Sequence, residues 1–205
     1  MVLGKMSVQL TMEDHMQELQ NRILAEGKNL GGGILKVDGL INHQVDPELM
    51  DHCGAELAAL FADSGATRIL TAEISGIAPA LMTAKHLKLP VVYARKTRPV
   101  TMPHTVYLTV APSHTKGNMV ELIVSPEYLQ ANEKVLIIDD FLASGATIQA
   151  LVRLAQAAGA EVIGVGTLIE KTFEGGRESL AYLNVPVHAL VQISSLEDGK
   201  IEFSN

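Results

Sequence analysis

Residues 135–147 have the sequence Val-Leu-Ile-Ile-Asp-Asp-Phe-Leu-Ala-Ser-Gly-Ala-Thr. The apolar run at 135–138 is typical of a central parallel strand that is buried on both faces. Such strands present ligand-binding groups at their carboxyl ends, where Asp139 and Asp140 follow in this chain. Residues 143–147 then combine small side chains, two hydroxyl groups and the backbone N–H groups of a helix start. Because this combination favours a bound anion, the segment predicts a phosphate site between a strand and a helix.

Patterns of strands and helices alternate on both sides of this segment. Strands are predicted at 68–72, 90–94, 161–168 and 187–193, and helices at 16–26, 48–63, 80–87 and 148–158. This alternation predicts an α/β fold with a central parallel, doubly wound sheet flanked by helices. Residues 34–40 are expected to form a short edge strand. Residues 97–118 are polar and contain three prolines, so they are expected to form a mobile flap with possible strands at 106–110 and 121–124.

Length and composition restrict the class of protein. With 205 residues, 47% of them hydrophobic, the chain can bury one ordinary core, and a single domain over 16–205 is expected after a separate leader at 1–15. The 16 Lys and Arg against 23 Asp and Glu give a net charge of −7, which argues against a nucleic-acid partner. Cys53 is the sole cysteine, and no apolar stretch approaches the roughly 20 residues of a membrane span. A cytoplasmic protein without a membrane partner is therefore expected.

Two further strands deliver polar groups to the same predicted edge of the sheet. The loop 73–79 follows the strand at 68–72, and its Ser75 and Gly76 can bring backbone close to an anion. Arg95 and Lys96 follow the strand at 90–94, and their charges suit a bound polyphosphate. On the other hand, strand-to-helix turns and exposed basic pairs are also common without any ligand.

The acid pair has three interpretations. Pairs at strand ends occur in flavodoxin-like receiver domains and as ordinary helix-capping residues, but receivers carry the pair on their first strand. Strand, acid pair, small loop and helix in this order resemble the phosphoribosyl pyrophosphate (PRPP) motif of type I phosphoribosyltransferases. That resemblance implies that Asp139 and Asp140 are the catalytic pair that holds the ribose, and that Mg²⁺ is held mainly through PRPP. It also implies a 5′-phosphate site at Ala143, Ser144, Gly145, Ala146 and Thr147 and a pyrophosphate site at Ser75, Gly76, Arg95 and Lys96.

A third group of residues is expected to bind a flat ring. Lys171 and Phe173 follow the strand at 161–168, where an ammonium group can donate to an exocyclic oxygen and an aromatic ring can stack. These properties favour a 6-oxopurine over adenine.

Several segments sharpen the resemblance. Residues 34–38, 40–44, 94–96, 169–171 and 195–200 resemble the xanthine-using bacterial members of the family. This implies that Leu35 and Asn42 close over xanthine, that N- and C-terminal segments form a small hood, and that the protein is a homodimer. Two alternatives stay open, a hypoxanthine or guanine phosphoribosyltransferase and a non-catalytic PRPP-sensing regulator. The short leader and the negative net charge favour the enzyme.

Overall fold

The computed structural model describes residues 12–112 and 119–204. The helices are α1 (Met12–Glu26), α2 (Pro47–Leu60), α3 (Ile77–Leu87), α4 (Ala146–Ala157) and the single turn α5 (Gly176–Ser179). The strands are β1 (Lys28–Asn29), β2 (Leu35–Lys36), β3 (Arg68–Ala72), β4 (Val91–Ala94), β5 (Tyr107–Pro112), β6 (Met119–Val124), β7 (Lys134–Leu142), β8 (Glu161–Lys171), β9 (Val187–Ser195) and β10 (Glu202–Phe203). Within the described ranges, no helix has the length and apolar character required to cross a membrane.

The central sheet has the strand order β10-β9-β8-β7-β3-β4. Strands β9, β8, β7, β3 and β4 are parallel, and β10 joins the edge antiparallel to β9. Strand β7 lies inside the sheet between β3 and β8, and the side chains of residues 135–138 are fully buried. The predicted parallel α/β fold is confirmed.

Side chains at alternate positions of β7 pack into two separate apolar clusters. Leu136 and Ile138 belong to a cluster with residues of α1, α2 and α3, whereas Val135 and Ile137 belong to a cluster with residues of α4, β5 and β6. This is the two-residue period of a strand that is covered on both faces. The helices thus leave the carboxyl ends of the parallel strands open for a site.

Three helix starts differ from their predicted positions by two residues or more, including α3, which begins at Ile77 instead of residue 80. Helix α1 begins at Met12, inside the segment expected to be a leader, and the rest of that segment, residues 1–11, lies outside the described residues. Helix α4 begins at Ala146, two residues before the predicted start. Helix α2 begins at Pro47, where the Asp46 side chain accepts hydrogen bonds from the N–H groups of Glu48 (3.1 Å) and Leu49 (3.2 Å). Such a cap satisfies backbone donors that the helix leaves unpaired.

The edge strand predicted at 34–40 is wrong in extent. Only Leu35–Lys36 is a strand, paired antiparallel with β1, and Asp38–Asn42 forms a π-helical turn. Leu40 and Ile41 are adjacent in sequence and both buried, whereas successive side chains of a strand point to opposite faces. A turn allows both to reach the core.

Strands β5 and β6 pair antiparallel as a hairpin and correspond to the predicted flap and its return strand. Two hydrogen bonds from the Arg153 side chain connect α4 to β5. Its Nε donates to Thr109 Oγ1 (3.0 Å), and its Nη2 donates to the Val110 carbonyl (2.8 Å). Backbone hydrogen bonds of 2.9 Å in both directions join Arg95 to Ile123. The hairpin base is therefore attached to α4 and to the end of β4. The residues between the two strands, 113–118, lie outside the described part of the chain.

Candidate active site

A cavity of about 670 Å³ lies at the carboxyl ends of β3, β7 and β8. Hairpin residues such as Ala111 and Leu122 form part of its wall. Most of the residues predicted for four different subsites line this one cavity: Leu35, Asn42, Ser75, Lys96, Asp139, Asp140, Ala143, Ser144, Gly145, Ala146, Thr147, Lys171 and Phe173. The fold therefore brings the predicted phosphate, ribose and ring-binding groups together.

The acid pair lies at the end of β7 and is nearly inaccessible to solvent. Asp139 is 5% exposed and Asp140 is 9% exposed, and the Asp140 N–H donates to Asp139 Oδ1 at 3.0 Å. Burial, together with the neighbouring Asp140 carboxylate, raises the pKa of Asp139 well above its usual value of 3.8, while Lys96 opposes this increase. Two adjacent carboxylates in a buried position create a site where positive charge, or a ligand's hydroxyl donors, is stabilised.

The small loop after β7 leads directly into α4. Gly145 has φ of +81°, a left-handed conformation that glycine adopts without a steric penalty. No side chain caps α4, so the first N–H groups of this helix have no side-chain acceptor at the cavity wall. Behind the loop, Ser179 Oγ donates to the Ser144 carbonyl at 3.1 Å. The loop is therefore supported from α5 and presents backbone donors and a positive helix end to an anion.

The loop after β3 packs directly on the acid pair. A Cβ atom at Gly76 would collide with Asp139 Oδ1 and with Thr71 Oγ1, so only glycine permits this approach. The Lys96 N–H donates to Glu73 Oε1 at 2.5 Å, which joins the end of β4 to this loop. The peptide bond between Glu73 and Ile74 is cis.

Two predicted pyrophosphate residues are placed differently from the others. Gly76 and Arg95 do not line the cavity. Gly76 lies against Asp139, and Arg95 Nε lies 3.8 Å from Glu73 Oε2, at the back of the loop. A contact of these two residues with pyrophosphate stays a prediction.

The ring-binding side of the cavity is built around Lys171. Lys171 is 8% exposed, and its Nζ donates to the Gly33 carbonyl (2.7 Å) and to Glu174 Oε1 (2.9 Å). The centroid of the Phe141 ring lies 5.7 Å from Nζ. Phe173 is 45% exposed, as expected of a ring that is available for stacking.

An ion pair between the buried Glu170 and the partly exposed Arg177 supports this side of the cavity. Glu170, which is 2% exposed, accepts from Arg177 Nε at 2.9 Å and from Arg177 Nη2 at 2.5 Å. Gln192 Nε2 of β9 also donates to Glu170, at 3.1 Å. Arg177 in turn donates to the Val187 carbonyl. These bonds hold the turn that follows β8 against the sheet, and with it the position of Lys171.

The sequence prediction missed several lining residues, among them Phe141, Glu174 and Gly33. Phe141 follows Asp139 by two residues, the spacing that places strand residues on one face, and this signal was available. Glu174 follows Lys171 by three residues, and the 3₁₀ turn Thr172–Glu174 between them was not recognised. Gly33 lies 138 residues before Lys171, and nothing in the sequence indicated the contact between them.

Among residues 12–112 and 119–204, no three His, Cys, Asp or Glu side chains are grouped so as to hold a metal ion. Mg²⁺ commonly uses only one or two protein carboxylates together with substrate phosphates. The pair Asp139 and Asp140 lies at a predicted phosphate site and therefore fits an Mg²⁺ ion that is held by few protein carboxylates and by substrate phosphates.

The profile of the family described as "Phosphoribosyl transferase domain" matches residues 48–187. The chain therefore belongs to the phosphoribosyltransferase family, and it is a pentosyltransferase. It is 50% identical to the xanthine phosphoribosyltransferase of Deinococcus deserti over 184 residues, which cover 90% of this chain and 95% of that protein. It is 47% identical to the xanthine phosphoribosyltransferase of Moorella thermoacetica over 187 residues, which cover 91% and 95%.

Solved structures show the same fold. The adenine phosphoribosyltransferase of Thermoanaerobacter pseudethanolicus superposes with a TM-score of 0.71 at 22% identity, over 86% of this chain and 99% of that one. The adenine phosphoribosyltransferase of Rhodothermus marinus gives 0.69 at 27% identity, over 87% and 98%. Because the first of these two structures is only 22% identical to this chain, its likeness shows the fold and gives no information on the base.

Proposed function

We propose that the protein transfers the 5-phosphoribosyl group of PRPP to xanthine, which yields xanthosine monophosphate and pyrophosphate. One observation carries the proposal: the acid pair and the uncapped start of α4 share a single cavity with Lys171 and Phe173. An anion site, a hydroxyl-binding site and a ring-binding site in contact are what a sugar phosphate and a purine require. The relatives with 43–50% identity that are named xanthine phosphoribosyltransferase support xanthine as the acceptor.

The phosphate side orients the sugar. Backbone N–H groups of residues 143–147 bind the 5′-phosphate, and the helix end stabilises its charge. Asp139 and Asp140 accept hydrogen bonds from the ribose hydroxyls and stabilise positive charge as it develops on the sugar. A bond then forms between a purine ring nitrogen and C1 while the bond from C1 to the pyrophosphate oxygen breaks, and the proton of the purine imidazole ring passes to pyrophosphate or water. Catalysis in this scheme consists of positioning and charge stabilisation, without a covalent intermediate on the protein.

The departing anion is bound by the loop after β3 and by the basic residues after β4. Ser75, Gly76, Arg95 and Lys96 supply donors and positive charge for pyrophosphate. Mg²⁺, held through PRPP with assistance from Asp139 and Asp140, supplies neutralising charge when it is bound. The hairpin β5–β6 closes the cavity from the side and excludes water from the sugar.

The acceptor side selects the base. Lys171 donates to the exocyclic oxygen at C6, Phe173 stacks on the ring, and Leu35 and Asn42 close over it. The Asn42 amide serves the additional oxygen at C2 of xanthine. Asn42 and Lys171 line the same cavity, which is consistent with one ring in contact with both.

The test is to detect nucleoside monophosphate chromatographically after the protein is mixed with PRPP, Mg²⁺ and one of four bases. We expect product mainly from xanthine, less from guanine and hypoxanthine, and least from adenine. Product mainly from guanine or hypoxanthine would retain the reaction and contradict xanthine as the acceptor. Absence of product together with tight PRPP binding would instead support the non-catalytic regulator.

Two further predictions remain, the first from the resemblance and the second from the composition of the chain. A homodimer is proposed, with residues 40–50 in the contact, and light scattering of the purified protein measures it. The cytoplasmic location also stays a prediction.

A further inference from the structure

The Lys171 ammonium and the Glu174 carboxylate form a close pair inside the cavity. Nζ lies 2.9 Å from Oε1, and the side chains are only 10% and 19% exposed. Both residues line the cavity, although the mechanism above uses only the lysine. The pairing with Lys171 offsets the cost of partly burying the Glu174 carboxylate, and it places an acceptor beside the proposed base site.

The local fold places Glu174 beside Lys171. Lys171 is the residue before the 3₁₀ turn Thr172–Glu174, and side chains three residues apart eclipse in such a turn. The turn itself is held by the ion pair of Glu170 and Arg177. The two groups are therefore presented side by side in a supported geometry.

Such a pair offers one donor and one acceptor next to each other. A 6-oxopurine presents the complementary pattern on one edge, with an accepting oxygen at C6 and a donating N–H at N1. Adenine presents the reverse, a donating amino group at C6 and an accepting N1. A ring edge contacts both protein groups when Lys171 faces the oxygen and Glu174 faces N1.

We infer that Glu174 is a specificity-determining residue, whose carboxylate accepts the N1–H of a 6-oxopurine while Lys171 donates to the oxygen at C6. This rests on the proposed transfer to a 6-oxopurine and adds a second base contact to it. Because a carboxylate at this position would face the lone pair of adenine N1, Glu174 also rejects adenine. The Gly33 carbonyl remains as the other acceptor for Lys171.

The inference is tested with xanthine and 1-methylxanthine, which lacks the N1–H. We expect the wild-type protein to prefer xanthine in kcat/KM by about tenfold or more, the loss expected for one hydrogen bond to a charged group. In Glu174→Ala the acceptor is absent and space is available for the methyl group. The ratio of kcat/KM for xanthine to that for 1-methylxanthine should therefore fall towards one. In Glu174→Gln an amide oxygen of similar placement remains, so part of the preference is retained.

The control is Glu178→Gln, which removes the same charge from an exposed position that does not line the cavity, and both the ratio and the rate should stay at the wild-type value. An unchanged KM for PRPP shows that each variant is folded. If Glu174→Ala slows both bases equally and keeps the ratio, Glu174 only holds Lys171 and the inference is wrong. A wild-type protein that uses both bases equally well also overturns it, but leaves the proposed function intact. A wild-type protein that uses no 6-oxopurine contradicts the proposed function itself, and the inference with it.

Discussion

The two sides of the cavity are built in different ways. The phosphate side comes from one continuous segment, in which β7, the acid pair, the loop and the start of α4 follow each other in sequence. The acceptor side joins distant segments, since Lys171 donates to the carbonyl of Gly33, which is 138 residues earlier in the chain. A local motif is visible in a sequence, whereas a contact between distant segments requires the fold.

The two sides also differ in how they treat buried charge. Glu170 below the acceptor side is fully paired with Arg177, whereas Asp139 on the phosphate side has a raised pKa and a second carboxylate as its neighbour. Removal of the partner of a buried carboxylate leaves an uncompensated charge, whereas a like charge beside a buried carboxylate disfavours its charged form. In the free protein the two carboxylates of the acid pair therefore oppose each other, whereas Glu170 has its partner in place.

The largest expected effect follows from removing one carboxylate of the acid pair. Asp139→Asn should lower kcat/KM by about 10²-fold or more, because a preorganised charge that stabilises the transition state is lost. The measurement is the initial rate of nucleotide formation at saturating Mg²⁺. Asn keeps the oxygen that accepts the Asp140 N–H, so the loop should remain in place. A rate within threefold of wild type would contradict the role of Asp139.

The same variant should be more stable than the wild type without ligand. Below pH 3.8 Asp139 is protonated in both the folded and the unfolded chain, so the variant has no advantage in the free energy of unfolding. As the pH rises from 3.8 to the raised pKa, the unfolded chain releases its proton first, so the free energy of unfolding of the wild type falls. Asp139→Asn removes this decrease, and denaturant midpoints measured from pH 4 to pH 8 should diverge upwards from wild type.

Asp46→Ala is the control with the opposite sign. Hydrogen bonds from the N–H of Leu49 and from Arg22 lower the pKa of Asp46, so its stabilisation is present above pH 3.8 and is lost as the pH falls through the lowered pKa. This variant should lose about 1 kcal/mol at neutral pH, the usual cost of an N-cap. If the denaturant midpoints of the two variants, relative to wild type, changed with pH in the same direction, the assigned pKa directions of Asp139 and Asp46 would both be contradicted.

The contrast between the two sides explains what could be predicted. The buried strand at 135–138, the acid pair and the phosphate loop follow from periodicity and from small residues in consecutive positions, and the structure places them as expected. The π-helical turn at Asp38–Asn42 could not be predicted, because its adjacent buried residues depend on packing against other segments. Leu35 and Asn42 were found through the family resemblance alone, since nothing local to them indicates a cavity.

A matched pair of glycine variants compares the two sides directly. Gly145 and Gly32 both have positive φ, 81° and 59°, so Ala at either position costs about 1–2 kcal/mol in the backbone. At Gly145 the new Cβ would also lie 2.5 Å from Ser179 Oγ, whereas at Gly32 it meets open space. Gly145→Ala should therefore unfold at lower denaturant than Gly32→Ala and raise the KM for PRPP by about tenfold or more, since small misplacements in a site are costly.

Equal midpoints for the two variants would show that the loop can move away from α5. An unchanged KM for PRPP in Gly145→Ala would remove this loop from the phosphate site.

Asn42→Ala should have a smaller and base-dependent effect. Asn42 is exposed in the protein without ligand. We expect kcat/KM for xanthine to fall about tenfold, the loss of one hydrogen bond, and that for hypoxanthine to fall less because it has no oxygen at C2. The measurement is the ratio of kcat/KM for the two bases. Equal losses would count against the assigned contact, and the KM for PRPP serves as the internal control.

The smallest effect is expected at the base of the hairpin. Arg153→Ala removes two hydrogen bonds to β5, so the hairpin should be cleaved faster by protease without ligand, while kcat changes only by about two- to fivefold. Added PRPP and Mg²⁺ should slow cleavage in both proteins. Arg153→Lys, which retains one donor group, is the matched control. Identical cleavage rates for wild type and Arg153→Ala would show that α4 does not restrain the hairpin.

The Asn29 side chain has a consequence for the coupling between distant segments. Its Nδ2 donates to the carbonyls of Leu196 (2.7 Å) and Lys200 (2.8 Å), which lie 167 and 171 positions later in the chain. The nearby Gly33 carbonyl accepts from Lys171, so local opening of residues 196–200 would also loosen a segment that contacts Lys171. The two segments are therefore expected to open together in hydrogen exchange.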